Sequence, residues 1–494
     1  MRPPEEIRHA ATAGPRRARA AVLAAAILAL AAVAVPACSG DRAASPAVAG
    51  STLQATLADP DGDGFLQAGP GEPLVDRGGR AAPGATLATF AQLTDTHVRD
   101  EESPARVPFL DRLGGRFTST FRPQEAFSAQ TLDASVRALN RERPEAVFVT
   151  GDIVDNAQEN ELTMAIDTLD GREVHPGSGA PGYDGVQAAD SADPFYYRPD
   201  HDSPRHPGSL AAAQRPFKAA GLDAPWYPIV GNHDVLAQGE VPPTPAIQAW
   251  ATGGRLVTTL DPGLQPPTEE TQAKQAVAAV LSGAASLPSV PTPRDPHRRM
   301  LSSPQVERRL IAASAKGTAA PGGLMDYAVD VGPHVRAITL DTVRRDGTSK
   351  GLVTAAQTAW LTTQLQQAGD RWVIVLSHNP LDASDGGAAA LAALDRDARV
   401  VAAISGNRHK NVVTRHKRFW LVGTSSLADY PQQARMFRLR ATRTGVALET
   451  WMVDHDGKGL AGVSRELAYL DAQGGRPQRF AGTREDRNAR LYVG

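Results

Sequence analysis

The sequence predicts an α/β protein in which helices cover more than one β-sheet and some strands pair antiparallel. Three observations lead there. From Thr86 to Leu394, short apolar runs alternate with segments of helical periodicity. From Phe419 to Val453, three apolar runs follow one another with no helix between them. And five of the apolar runs stop in the same kind of polar chemistry, at Asp95-Thr96-His97, Gly151-Asp152-Ile153-Val154-Asp155, Gly231-Asn232-His233-Asp234, Ser377-His378 and Gly406-Asn407-Arg408-His409.

The 494 residues are enough for one large domain or two to three ordinary ones. Charge is nearly balanced, with 52 basic against 54 acidic residues, which argues against a nucleic-acid partner. Gly and Pro are abundant, at 45 and 38, which points to long ordered loops. Residues 1–38 read as an export signal. Arg16, Arg17 and Arg19 precede the uninterrupted apolar run Ala20–Val35, too short for a comfortable membrane span. The run ends at Pro36-Ala37-Cys38-Ser39, and Cys38 is the single cysteine of the chain. A small residue before a lone cysteine resembles a lipoprotein processing site, so the expectation is an exported protein held at a membrane by lipid on Cys38. No cysteine pair exists for a disulfide.

Residues 39–85 read as a tether. Asp59, Asp61, Asp63 and Gly64 imitate the start of a calcium loop, but Pro70 stands where a bidentate Glu is required, so an acidic turn is expected. The domain is expected over 86–470. Thr86–Thr94 reads as a strand, 99–124 as a polar loop, Ala126–Arg141 as a helix with Phe127, Leu132, Val136 and Leu139 on one side, and Ala146–Thr150 as a buried strand. A helix around Asn160–Leu169 follows. Two long insertions, at about 170–225 and 237–325, flank the short strand Trp226–Val230; the second holds helices near Thr271–Leu281 and Pro304–Ala315. Then come a strand Val335–Leu340, a helix Thr354–Ala368, a strand Trp372–Leu376, a helix Ala388–Leu394, and strands at Val400–Ile404, Phe419–Gly423, Met436–Leu439 and Val446–Val453. Residues 471–494 read as a tail.

In α/β sheets the loops at the carboxyl ends of strands converge on one crevice. The donors gathered there would be Asp95, His97, Asp152, Asn232, His378, Asn407 and His409. Carboxylate, imidazole and amide together suit Mn, Fe or Zn; they do not suit copper(I), and the imidazoles are too many for a Ca or Mg cage. Asp155 and Asn156 read as supporting or capping residues. The remaining histidines of the domain, His455 among them, read as surface residues. Arg344-Arg345 reads as a solvated loop pair, and Phe195-Tyr196-Tyr197 as an anchor for its loop.

These motifs, in this order, resemble the calcineurin-like metallophosphoesterase superfamily, whose pattern is D-x-H, G-D-x-x-D, G-N-H-D/E, a lone His after a strand, and G-H-x-H. The resemblance spans residues 86–453, and four of the five motifs agree. It implies a four-layer αββα sandwich of two mixed β-sheets flanked by helices, here with long loop insertions. It also implies two divalent or trivalent metal ions: Asp95, His97 and His409 on the first, Asn232 and His378 on the second, and Asp152 bridging. His233 would act as acid or transition-state stabiliser, oriented by Asp234. The last motif departs from the family, because Asn407 stands where a histidine would bind the second ion. The expected activity is hydrolysis of a small-molecule phosphodiester or phosphomonoester outside the cytoplasm, at a cell surface or in a periplasm-like space. The alternative is a catalytically silent binding or scaffold module on the same fold.

Overall fold

The computed structural model describes residues 50–114, 117–259, 270–283, 287–314, 318–319, 324–474 and 479–494. The expected export signal and Cys38 lie outside the described residues. Among the described residues no helix is long and apolar enough to cross a membrane.

Two mixed sheets, of eight and seven strands, form the centre of the protein. In chain order their strands are β1 (Gly50–Ser51), β2 (Val75–Arg77), β3 (Thr86–Leu93), β4 (Ala146–Thr150), β5 (Trp226–Ile229), β6 (Thr318–Ala319), β7 (Tyr327–Val331), β8 (Val335–Leu340), β9 (Trp372–Ser377), β10 (Val400–Ser405), β11 (Val412–His416), β12 (Phe419–Gly423), β13 (Gln433–Ala441), β14 (Val446–Asp454) and β15 (Ala489–Val493). The main helices are α1 (Ser128–Glu142), α2 (Glu159–Leu169), α3 (Glu270–Leu281), α4 (Ser303–Ala313), α5 (Ala355–Gln367), α6 (Gly387–Leu394) and α7 (Gly459–Gly474). The first sheet runs β2-β15-β14-β13-β3-β4-β5, with β1 beside β14; the second runs β6-β7-β8-β9-β10-β12-β11.

Strands β3, β4 and β5 are parallel, as are β8, β9, β10 and β12. Parallel neighbours need crossovers, and α1, α2, α5 and α6 supply them. Strands covered on both faces read as continuous apolar runs, which is why the sequence announced them. In the second sheet Ala337, Ile374, Leu376, Ala402 and Ile404 belong to the core shared with the first sheet. The alternate residues Ile338, Leu340, Val373 and Val375 pack instead with Leu361, Leu365, Leu391 and Leu394 of α5 and α6. On the first sheet the rings of Phe90 and Phe437 stack at 4.8 Å, with Phe148 edge-on to Phe90 at 5.9 Å. Gln92, two residues along from Phe90 on the same face, reaches the Ser405 carbonyl of the second sheet at 3.3 Å. The result is the expected four-layer sandwich, with the carboxyl ends of the parallel strands of both sheets at one edge.

Two stretches expected outside the domain supply strands to it. Strand β2 lies in the expected tether and β15 in the expected tail; they pair in parallel, Val75 with Ala489 and Leu491 with Arg77, and β15 also pairs with β14. Strands this short, among Gly, Pro and charged neighbours, carry too little periodicity to read. The boundaries expected at 86 and 470 therefore do not coincide with edges of the sheet. Asp59 accepts main-chain hydrogen bonds from Asp63 and Gly64, which makes its segment the expected acidic turn.

The expected polar loop 99–124 is largely buried. The two insertions cover its first turn: Arg298 donates to Asp100 at 3.1 Å, Ser178 to Asp100 at 2.7 Å, and the Asp184 main chain to Glu102 at 2.9 Å. Burial, with the Asp100 and Asp184 carboxylates nearby, pushes the Glu102 carboxyl up to about 8. The folded protein then holds a proton that the unfolded chain releases near 4.5. Stability contributed here falls as pH rises from about 4.5 to about 8, because the unfolded state binds fewer protons over that window. Glu102→Gln is expected to remove this loss. Above about pH 8 the variant should be more stable than the parent by a few kcal/mol, at most about 5, and near about pH 4 the two should match, which thermal unfolding at both pH values checks.

Candidate metal centre

All seven expected donors arrive at the shared edge. Five of them, Asp95 (φ 51°), His97 (φ 42°), Asp152 (φ 46°), Asn407 (φ 63°) and His409 (φ 53°), have left-handed backbone. Such non-glycine residues are uncommon and collect at functional sites. The turns are tight enough to demand glycine beside them. A Cβ on Gly231 would lie 2.1 Å from the Asp152 nitrogen, and one on Gly406 would lie 2.0 Å from Thr94 Oγ1 and 2.5 Å from Asp95 Oδ2. The glycines of these motifs therefore let two strand ends close on one another.

Each site histidine has one ring nitrogen committed and the other aimed inward. His378 Nδ1 donates to the Thr150 carbonyl at 2.9 Å, leaving Nε2 at 3.2 Å from both Asn232 Oδ1 and Asp152 Oδ2. His97 Nδ1 faces Asp155 Oδ1 at 3.1 Å, and His409 Nδ1 is hydrogen-bonded to Asp429. Their Nε2 atoms meet 3.3 Å apart, and His409 Nε2 lies 3.4 Å from Asp95 Oδ1. Two imidazole nitrogens on one tetrahedral ion with bonds of about 2.0–2.1 Å stand about 3.3 Å apart. The Asn232 amide is oriented too: its nitrogen donates to the Gly239 carbonyl at 3.1 Å, so its oxygen faces the site.

The donors of Asp95, His97, Asp152 and His409 lie within 4.8 Å of one another, the composition expected for the first ion plus the bridge. Asp152 Oδ2 is 3.8 Å from His97 Nε2 and 3.2 Å from His378 Nε2, so this carboxylate reaches both donor groups. The electrostatics call for cations. Burial pulls the imidazoles of His378 and His409 down, but facing carboxylates outweigh it: Asp152 pushes His378 up to about 10, and Asp95 with Asp429 pushes His409 up to about 9. Burial likewise pushes Asp152 up, yet His378 and His233 hold it far below the usual carboxylate range. In His97 burial wins, and the imidazole sits below its ordinary value. The residues thus fit a pair of metal ions. A further grouping of His97, Asp155 and His233 lies equally close. Asp155 accepts from His97 Nδ1 through its side chain and from His233 Nδ1 through its main-chain carbonyl, and it is engaged by Arg99 and, at 3.1 Å, by Gln238.

His233 lines the cavity, but Asp234 does not orient it. His233 Nδ1 donates to the Asp155 main-chain carbonyl at 2.7 Å, and its main-chain N–H donates to Asp152 Oδ1 at 2.8 Å. Asp234 turns the other way and accepts from the Gly231 and Val154 main chains at 2.7 and 3.0 Å, tying the loop after β5 to the loop after β4. Its position in the motif suits a buried loop knot as well as a catalytic neighbour, and sequence alone does not separate the two. Asn407 lines the same cavity; its main-chain N–H donates to both oxygens of Asp95 at 3.1 Å.

Sequence reading missed Asp429, Arg99, Arg122 and Gln238, all of which line the cavity. No strand-end motif marks Asp429, which follows the polar run Thr424-Ser425-Ser426. The cavity measures about 630 Å³. Val107, Phe117, Val277 and Phe480 give it an apolar wall, and Lys274, Lys350 and Arg408 stand on its lining. Arg344 and Arg345 do not reach it: Arg345 pairs with Asp341 and Glu307, and Arg344 with Asp385. Tyr196 is buried against Phe121, an anchor as expected. His455, read as a surface residue, is fully buried at the end of β14.

No family model matches the chain, and no curated protein matches it in sequence. Solved structures do resemble it. A dimetal phosphatase from Danio rerio is 13% identical, with 75% of this chain and 97% of that one covered, at a TM-score of 0.42. The purple acid phosphatase PPD1 from yellow lupin (Lupinus luteus) is 11% identical, with 75% of this chain and 52% of that one covered, at 0.31. GAP50, described as the anchor in the inner membrane complex of Plasmodium, is 11% identical, with 81% of this chain and 98% of that one covered, at 0.29.

Proposed function

We propose that this chain is a metal-dependent phosphoesterase of the calcineurin-like kind, acting on a small-molecule phosphodiester or phosphomonoester. The observation that carries the reading is Asp152, a carboxylate within reach of two separate donor groups whose imidazoles all aim inward. Asp95, His97 and His409 would hold one ion and Asn232, His378 and Asn407 the other. Bound there, two such ions would supply an activated water and positive charge for the phosphoryl oxygens. The protein's own part is positional and acid–base. The Asp155 carbonyl accepts from His233 Nδ1, which fixes the ring; in the imidazolium form Nε2 carries the second proton and can donate it to the leaving oxygen, an effect typically of roughly 10²–10⁴ in rate. The apolar wall gives an organic substituent a place to pack, and this favours an ester with a bulky organic group, with a small-molecule diester preferred. Export and a lipid tether at Cys38 complete the proposal.

The test is to strip the protein with chelator, restore Mn²⁺, Fe²⁺ or Zn²⁺ in turn, and assay an aryl phosphodiester beside an aryl phosphomonoester. Metal-restored hydrolysis supports the reading; a folded protein inert with every ion sinks it. A second reading, a silent binding module, draws on Asn407, whose side chain makes no hydrogen bond among the described residues. The turnover assay separates the two readings, and Asn407→His tests that side chain's part. If position 407 faces the second ion, the imidazole is expected to tighten its binding at least about tenfold, read by calorimetric titration. Unchanged affinity would remove Asn407 from the ligand set.

A further inference from the structure

The two histidines assigned to the first ion are supported by matching chains of charge. His97 is backed by Asp155, and Asp155 is gripped by Arg99. His409 is backed by Asp429, and Asp429 is gripped by Arg122, Nε to Oδ1 at 2.7 Å. Both chains end on one residue. Arg99 Nη1 donates to Glu125 Oε2, and Arg122 Nη1 donates to Glu125 Oε1 at 2.6 Å. The Arg122 main-chain N–H adds a bond to Oε2 at 3.1 Å, and Arg106 Nη2 adds another at 3.3 Å. Glu125 sits in a short 3₁₀ turn ahead of α1 and is 2% exposed.

We infer that Glu125 is a positioning residue for the metal centre: through Arg99–Asp155 and Arg122–Asp429 it sets the orientation of both His97 and His409. The inference rests on the dinuclear reading above. Its physics is charge balance in a dry place. Three guanidinium groups surround the single Glu125 carboxylate. Without it, Arg99 and Arg122 lean harder on Asp155 and Asp429, and they draw those carboxylates away from the Nδ1 protons they hold. A buried cation left short of a partner is expensive, so this competition is strong. Partners behind metal-bound imidazoles typically govern about 10–100-fold in metal affinity.

The variant is Glu125→Gln, which keeps size and one acceptor oxygen and removes the charge. The control is Glu449→Gln. Glu449 of β14 is an equally buried acid that pairs with Arg438 and Arg490, outside both chains. Each protein is stripped of metal, titrated with Zn²⁺ by calorimetry, and loaded with Co²⁺ for its visible absorption spectrum. Glu125→Gln is expected to weaken the tighter site by about 10–100-fold and shift the Co²⁺ bands, with Glu449→Gln matching the parent in both. If Glu125→Gln does not fold, Arg99→Lys cuts the branch to His97 alone and should still shift the Co²⁺ bands. Parent-like affinity and spectrum in the folded variant, or equal weakening by Glu449→Gln, overturns the inference and leaves the site reading intact. A parent that binds no Zn²⁺ overturns the site reading itself.

Discussion

Asp152→Ala is expected to abolish hydrolysis and to reduce bound metal from two ions to at most one. Asp152 is 3% exposed and the donor that reaches both groups, and its other oxygen holds the main chain of His233. The substitution removes the bridge, frees the loop that carries the proposed acid, and leaves His378 facing no carboxylate at 3.2 Å. Metal and transition-state charge together contribute several kcal/mol, so the rate should fall by about 10³-fold or more. Turnover and metal content, measured on the same sample, check it. Full activity with one ion would mean that the second donor group is not catalytic, and full activity with two would mean that Asp152 is not the bridge.

The largest effect on stability is expected at Arg435. This β13 side chain is wholly buried, and none of its hydrogen-bond acceptors is a carboxylate. It donates to Thr424 and Asn411 at 2.9 and 2.8 Å, to Thr450 at 3.1 Å, and to the carbonyls of Gly423, Arg487 and Asp486 at 3.4, 3.3 and 2.9 Å. These partners come from the second sheet, from β14 and from the segment leading into β15. Arg435→Met keeps much of the volume and strands the acceptors in a dry place. A loss of about 3–5 kcal/mol is expected, read by denaturant unfolding. A loss under about 1 kcal/mol would mean that water replaces the guanidinium at those carbonyls.

The part of the site that was legible in the sequence lies at strand ends. Buried parallel strands must be apolar throughout, so Ala146–Thr150 or Val400–Ser405 advertises its own end, and the polar residue that follows stands out. Asp429 and Glu125 had no such marker. Asp429 backs His409 from 20 residues away and meets Arg122 across 307, and Glu125 meets Arg99 across 26; the i,i+3 pair of Arg122 and Glu125 is local but looks like any surface ion pair. Asp234 failed for the opposite reason: its motif neighbours Asn232 and His233 line the cavity, but its carboxylate points at two main-chain nitrogens. The loop 99–124 reads as polar and is buried because arginine and acid neutralise one another inside it. His455 was misread in the same way, as a polar residue placed outside by composition and inside by the packing of β14 and α7.

The left-handed backbone at five donors bears on which elements this centre can be adapted to hold. Asp, Asn and His are the side-chain types that tolerate positive φ best, and they are the types present. Recruiting a softer element would call for cysteine at these positions, and a harder one for glutamate. Each would have to adopt φ between 42° and 63°, at a strain of about 1–3 kcal/mol per residue. Donor chemistry and chain conformation are therefore coupled selections here. Turn geometry limits the donor types at this edge as much as ligand affinity does, and exchange among amide, carboxylate and imidazole is the change that the backbone resists least.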